Sequence, residues 1–362
     1  MIADSHVDTP SQLLRLRNIG IDNPYAHVDL PKMRRGGISA AFFALYTPPG
    51  TPADSATRYA LQMLSAVYDA CDENPDYAAV TLTPDEARKN QADGLISLFI
   101  GMENGAPIQE SLSLLRCFYR MGVSYLTLTH NEDNAIADSA AQASRWNGLS
   151  PFGREVVAEM NALGMMIDLS HASDKSFWDC IALSKAPIIA THSCCRALCK
   201  HRRNLTDEML QALGEKDGYV GINFYPAFLS DRFASSPADK ALLDEADTIE
   251  AAFIADPSNL AKREAWNKMQ DRLLQMWRPG VEEIVDHIEH AISLAGIDHV
   301  GIGSDFDGIE VPPKGVEDIS KTGLVFDEMR RRGYSETEIE KVSGQNLMDV
   351  YKRIIKASEL AI

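Results

Sequence analysis

The stretch MIDLSHASDKSFWDCIALSKAPIIATHS, residues 166–193, holds two apolar runs, MIDLSH and PIIATHS, each closing on a histidine, with one helix-length segment between them. A parallel strand pair needs such a long connection, and its strands are buried on both faces. The stretch therefore reads as one strand–helix–strand unit. The same alternation extends both ways along the chain. MIADSHVD (1–8), ISAAFFALYT (38–47), LISLFIGMEN (95–104) and YLTLTH (125–130) precede it, and YVGINFYP (219–226) and HVGIGSDFDG (299–308) follow. Between them run helical patterns such as ATRYALQMLSAVYDACDEN and SLSLLRCFYRMG, apolar at three and four spacing. Eight such units most economically close into an α/β fold of the (β/α)8 TIM barrel type, with an open doubly wound sheet as the alternative.

The chain has 362 residues and no Pro-, Gly- or Ser-rich linker, so residues 1–362 are expected to form a single barrel domain. A helical insertion is expected at about 227–280, between strands 7 and 8, broken at Pro257 and at Pro279-Gly280. Its Trp266, Met269, Leu273, Met276 and Trp277 share one helical face, expected to pack on the barrel or on another subunit, which allows a homodimer. The net charge of −17 argues against a nucleic-acid partner, which needs a basic surface. No apolar run reaches the roughly 18 residues of a membrane span, and MIADSHVDTP does not read as a secretory signal, so a cytoplasmic location is expected. Six cysteines in no disulfide or zinc spacing, with Cys194, Cys195 and Cys199 clustered, read as reduced thiols.

Barrel enzymes place their chemistry where strands end. Here the first strand ends in His6-Val7-Asp8, the third in Glu103, the fourth in His130, the fifth in His171, the sixth in His192 and the eighth in Asp305. A period of two puts His6 and Asp8 on one face, a spacing that suits chelation. Burying so many ionisable groups without partners would cost several kcal/mol each, in order of magnitude, and coordination removes that penalty. A divalent metal site is the favoured reading. Zinc suits mixed imidazole and carboxylate ligands, with manganese, cobalt or iron also compatible. His287 and His290 read as a solvated helix face, and His27, His201 and His299 match no strand end. GIGSDFDG lacks the helix pattern of a nucleotide loop, and SHVDTPS gives no nucleophile elbow.

The ordered set DSHVD, GMEN, TLTHN, DLSH, THS, RRN and GSDFDG resembles the membrane (renal) dipeptidase family, zinc enzymes of the amidohydrolase-like barrel class, over nearly the whole chain. The resemblance implies a metal-dependent hydrolase with two zinc ions per subunit: His6 and Asp8 on one, His171 and His192 on the other, Glu103 bridging. It further implies that His130 contacts the scissile carbonyl or its oxyanion, that Arg203 grips the substrate's terminal carboxylate, and that Asp305 is the acid/base. A bacterial-type cytosolic member is expected, since the animal enzymes look secreted and lipid-anchored. Asn104-Gly105-Ala106-Pro107 departs from the animal continuation after the bridging glutamate.

The implied reaction is hydrolysis of a dipeptide with a free C-terminal carboxylate, a C-terminal D-residue included. Two metals sharing a carboxylate bring the pKa of a bridging water toward about 7, Asp305 can move its proton, and a guanidinium fork matches a carboxylate. The alternatives are a related zinc amidohydrolase acting on N-acyl amino acids or cyclic amides, and a non-catalytic barrel scaffold.

Overall fold

The structure, a computed structural model, describes residues 1–141 and 144–358. Its strands are β1 (Ile2–Val7), β2 (Ile38–Tyr46), β3 (Ala78–Val80), β4 (Ile96–Glu103), β5 (Val123–Thr127), β6 (Met166–Asp168), β7 (Ile189–Ala190), β8 (Tyr219–Ile222) and β9 (Val300–Ile302). Eight of them pair in parallel in the order β1-β2-β4-β5-β6-β7-β8-β9. The sheet returns to its start beyond β9, where Val7 bridges Phe306, Asp305 N–H donates to His6 O (3.0 Å) and Asp8 N–H donates to Phe306 O (2.9 Å). The expected eight-stranded barrel is thus the observed fold. The ninth strand, β3, was not anticipated: it pairs only with the first half of β4, and three residues are too few to carry a periodic signal.

Side chains alternate along the staves as the strand period requires. Ala40 and Phe42 of β2 pack with Phe99, Tyr125 and Tyr219 and with Leu347, Met348, Tyr351 and Ile354 of the helix Asn346–Ala357. Ala41, Phe43 and Leu45 join the larger cluster shared with the surrounding helices. Each fully buried phenylalanine contributes about 2–3 kcal/mol by area removed from water. At Gly101 an added Cβ would lie 2.0 Å from the Tyr125 ring, so glycine there gives that ring its place.

Between β8 and β9 come the helices Pro226–Leu229, Asp231–Ala234, Pro237–Ala255 and Leu260–Leu273, before Val281–Ala295. The apolar face at 266–277 does not pack as expected. Trp266, Met269 and Leu273 bury against Phe233, Ala246 and Phe253 of the insertion itself and against Val311, while Trp277 stays 39% exposed under the Arg232 guanidinium. The two long helices and the short one carrying Phe233 supply enough apolar surface to cover each other. Among the described residues no helix is long and apolar enough to cross a membrane. All six thiols are free, and burial pushes those of Cys194, Cys195 and Cys199 up, which keeps them protonated donors to Asn223 O, His287 O and Ala227 O.

Candidate metal centre

His6 lies within β1 and Glu103 ends β4, whereas β6 and β7 stop short of the sequence runs that announced them and leave their histidines in the loops just beyond. β6 ends at Asp168, three residues before His171, and β7 at Ala190, two before His192. These loops converge on a cavity of about 780 Å³ whose lining includes Asp8, Glu103, His130, His171, Arg203 and Asp305. Glu103, at the end of β4, is its centre: Oε1 lies 2.9 Å from His171 Nε2 and 3.5 Å from His192 Nε2, and Oε2 lies 3.6 Å from His6 Nε2. His6 Nε2 is also 3.5 Å from Asp8 Oδ2. The five residues read from the sequence as ligands are therefore brought together, all of them buried.

The other ring nitrogens are committed elsewhere. His171 Nδ1 faces Asn131 Oδ1 at 3.2 Å, which can only accept, so Nδ1 carries the proton and Nε2 a lone pair. Thr191 Oγ1 donates to Asp168 Oδ2 (2.7 Å) and so receives the His192 Nδ1–H at 2.8 Å, again freeing Nε2. His6 Nδ1 lies 2.8 Å from the Tyr125 hydroxyl, and a proton donated there leaves Nε2 toward the carboxylates. His6 Nε2 and Asp8 Oδ1 are buried with no hydrogen-bond partner among the described residues. Imidazole lone pairs aimed at carboxylate oxygens repel one another unless a cation sits among them. This donor set fits a divalent metal bound by nitrogen and oxygen, with its outer hydrogen bonds in place.

Electrostatics bear the same mark. Burial pushes the Asp8 carboxyl well up, and the charge of Glu103 adds to it. Burial also acts to raise Glu103, but His6, His171 and His192 outweigh it and hold that carboxyl well down. Burial, with Arg203 and His130 adding, drives His171 well down, so it stays neutral, as a ligand must. His130, whose ring centroid lies 4.4 Å from that of His171, is lowered to about 4 by burial. It too is neutral at ordinary pH, and its Nδ1 is buried without a partner.

Arg203 is not the surface cation that its neighbour Arg202 is. It is 4% exposed, burial lowers it to about 10, and it gives one long contact, Nη2 to His192 O at 3.4 Å. Among the described residues its Nε and Nη1 have no hydrogen-bond partner, and the guanidinium, 5.4 Å from the Phe228 ring centroid, faces the cavity with those donors unspent. Asp305 adopts a left-handed backbone (φ 63°), and its Oδ2 accepts from Asn223 Nδ2 at 2.9 Å.

Sequence reasoning missed the supporting residues. Asn223 stands just past β8, the one late strand given no polar end, and the same pattern could have found it in GINFYP. Tyr125, Asn131 and Asp168 carried no such signal, since each acts through a neighbour distant in sequence. His287 corrects the solvated-face reading: it is 1% exposed, its Nδ1 accepts from Cys195 N (3.0 Å), and its Nε2 faces Leu229 O (3.2 Å). The helix turns this position inward and only His290 outward, to Asp207. His201 lines the cavity, His27 Nδ1 accepts from the backbone N–H of Asp307, and His299 Nδ1 faces Gly218 O.

Comparison with known proteins agrees with this geometry. A Schizosaccharomyces pombe protein, uncharacterized dipeptidase C965.12, is 33% identical over 97% of this chain and 80% of its own length. The crystal structure of the probable dipeptidase PvdM from Pseudomonas aeruginosa matches with a TM-score of 0.84 at 27% identity, over 99% of this chain and 96% of that one. A Rhodobacter sphaeroides metallo peptidase, liganded with a phosphinate mimic of the dipeptide L-Ala-D-Ala, matches at 0.80 and 28% identity, over 98% and 99%. The family model for membrane dipeptidase, peptidase family M19, matches residues 1–361, and the chain belongs to that family of metal-dependent dipeptidases.

Proposed function

We propose that the protein is a binuclear zinc dipeptidase that cleaves dipeptides with a free C-terminal carboxylate, those with a C-terminal D-residue included. His6 and Asp8 would hold one ion, His171 and His192 the other, and Glu103 would bridge them. The observation that carries this is the convergence of three imidazole Nε2 atoms on the two oxygens of Glu103, at 2.9, 3.5 and 3.6 Å. When bound, the ions supply Lewis acidity that acidifies water and polarises the amide carbonyl.

The chain's own groups account for the rest. Arg203 receives the substrate carboxylate on its unspent donors, which fixes the scissile bond over Glu103 and favours free dipeptides over internal peptide bonds. Asp305, steadied by Asn223, takes the proton of the attacking water as the water oxygen bonds to the carbonyl carbon. It returns that proton to the amine nitrogen as the C–N bond breaks. Neutral His130 donates a hydrogen bond to the oxygen on which negative charge develops. The Rhodobacter protein's L-Ala-D-Ala mimic supports the D-residue.

The test is amino-acid release from L,L and L,D dipeptides by metal-stripped and zinc-reloaded protein, with N-acetyl amino acids and cyclic amides as controls. Zinc-dependent cleavage confined to dipeptides is expected. Cleavage of the acylated or cyclic amides alone would replace the dipeptidase with the related amidohydrolase.

A further inference from the structure

The GSDFDG stretch contains a second acid, Asp307, that the chemistry above does not use, yet it is bonded more heavily than Asp305. Its side chain is 2% exposed. Oδ2 accepts from Thr9 Oγ1 (2.9 Å) and pairs with Arg17 Nη1 (2.7 Å), and Oδ1 accepts from His27 N (3.2 Å). Its backbone N–H donates to His27 Nδ1 (3.0 Å), and its carbonyl receives Gln12 Nε2 (3.4 Å). Both carboxylate oxygens are engaged within the protein, although Asp307 lines the cavity.

The turn it sits in is unusual. Asp305 and Asp307 both have left-handed backbone, φ 63° and 67°, a region that side chains other than glycine rarely occupy. Gly308 closes the turn, its N–H donating to Asp305 O at 3.0 Å. A Cβ there would lie 2.1 Å from Asp8 Oδ2 and 2.7 Å from Asp305 Oδ1, so both carboxylates press on the space above it. Thr9 begins the helix directly after Asp8, so the Thr9–Asp307 bond ties the loop that carries Asp8 to the turn that carries Asp305.

We infer that Asp307 is a positioning residue: clamped by Thr9, Arg17 and His27, it holds the left-handed turn in the conformation that presents the Asp305 carboxylate beside Asp8 and Asn223. The inference rests on the proposed role of Asp305 as the acid/base.

The experiment uses the full-length, zinc-reloaded enzyme and a dipeptide it cleaves, with bound metal and melting temperature recorded for each variant. Asp307→Ala is expected to lose about a hundredfold in kcat with KM within about twofold and metal content unchanged. Asp307→Asn, which can still accept from His27 N, retains more kcat than the alanine variant. Adding Asp307→Ala to Asp305→Asn costs nothing further, because the two act as one unit. Arg17→Gln, which removes one clamp away from the metal ligands, is expected to lower kcat about tenfold and serves where Asp307→Ala does not fold. Wild-type kcat per metal-loaded enzyme in Asp307→Ala or, failing that, Arg17→Gln would overturn the inference, as would additive losses in the double variant. An active Asp305→Asn would instead overturn the acid/base assignment, and an inactive Asp305→Asn beside an unimpaired Asp307→Ala would overturn the clamp alone.

Discussion

His171 Nε2 and His192 Nε2 stand 3.0 Å apart, both facing Glu103 Oε1, although their rings leave strands 21 residues apart in sequence. With the Nδ1 protons committed elsewhere, two lone pairs at that separation beside a carboxylate repel one another, and a shared cation removes that repulsion. The bonds behind them matter as much. Thr191→Val keeps the shape of its side chain but removes the hydroxyl that takes the His192 proton and bonds to Asp168. Metal affinity should fall about 10- to 100-fold while the fold persists. Competition with a chelator of known affinity measures this, and unchanged affinity would show that Thr191 does not orient His192.

Arg203 is the proposed anchor of the substrate carboxylate. Arg203→Met should raise KM for dipeptides by about a hundredfold, the worth of a charge-assisted pair of hydrogen bonds, with kcat affected less. Wild-type enzyme should discriminate against a dipeptide amide, and the variant should not. A variant that still prefers the free carboxylate would assign its recognition to another group.

Gly308→Ala tests how closely the two sides of the site approach. The methyl group would collide with Asp8 Oδ2 and Asp305 Oδ1, and nothing about the backbone at 308 otherwise demands glycine. We expect kcat/KM to fall by more than about a hundredfold, with a melting temperature lowered by only a few degrees. Near-normal activity would mean that these carboxylates can move apart without consequence.

His287 makes the protein acid-sensitive independently of the metal site. Burial lowers its pKa from 6.5 to about 4. The unfolded chain therefore binds the proton first as pH falls, so this contribution is complete above about pH 6.5 and lost on the way to about pH 4. The loss is about 3 kcal/mol. Denaturant unfolding of wild type and His287→Gln across that range should give a flatter profile for the variant, even if its stability at pH 7 is lower. Parallel profiles would rule His287 out as a source of the slope.

The barrel was legible because its staves are buried on both faces, so runs such as ISAAFFALY and LISLFIGME are apolar throughout and cannot be mistaken for amphipathic helices. The residues of the candidate centre were legible because the mouth of a barrel closes such runs with ionisable side chains: Glu103 directly follows an apolar residue, and His6, His171 and His192 follow one after a single Ser or Thr or a short polar step. What stayed hidden acts across the fold. Tyr125 reaches His6 over 119 positions, Asp307 holds Arg17 over nearly 300, and neither pairing leaves a local pattern. His287 was misread because periodicity in HIEH does not say which of two histidines one turn apart faces inward. The packing of Trp266 could not be assigned before the partner helix Pro237–Ala255 was placed beside it.

The most direct measurement of the central claim is metal stoichiometry with turnover on the same samples: zinc per chain by elemental analysis for wild type and Glu103→Gln, each assayed on an L,D dipeptide. About two zinc ions are expected per active wild-type chain. Glu103→Gln is expected to lose at least one ion and nearly all turnover. A wild-type enzyme fully active with a single ion, or a Glu103→Gln variant that keeps two ions and normal turnover, would contradict that claim.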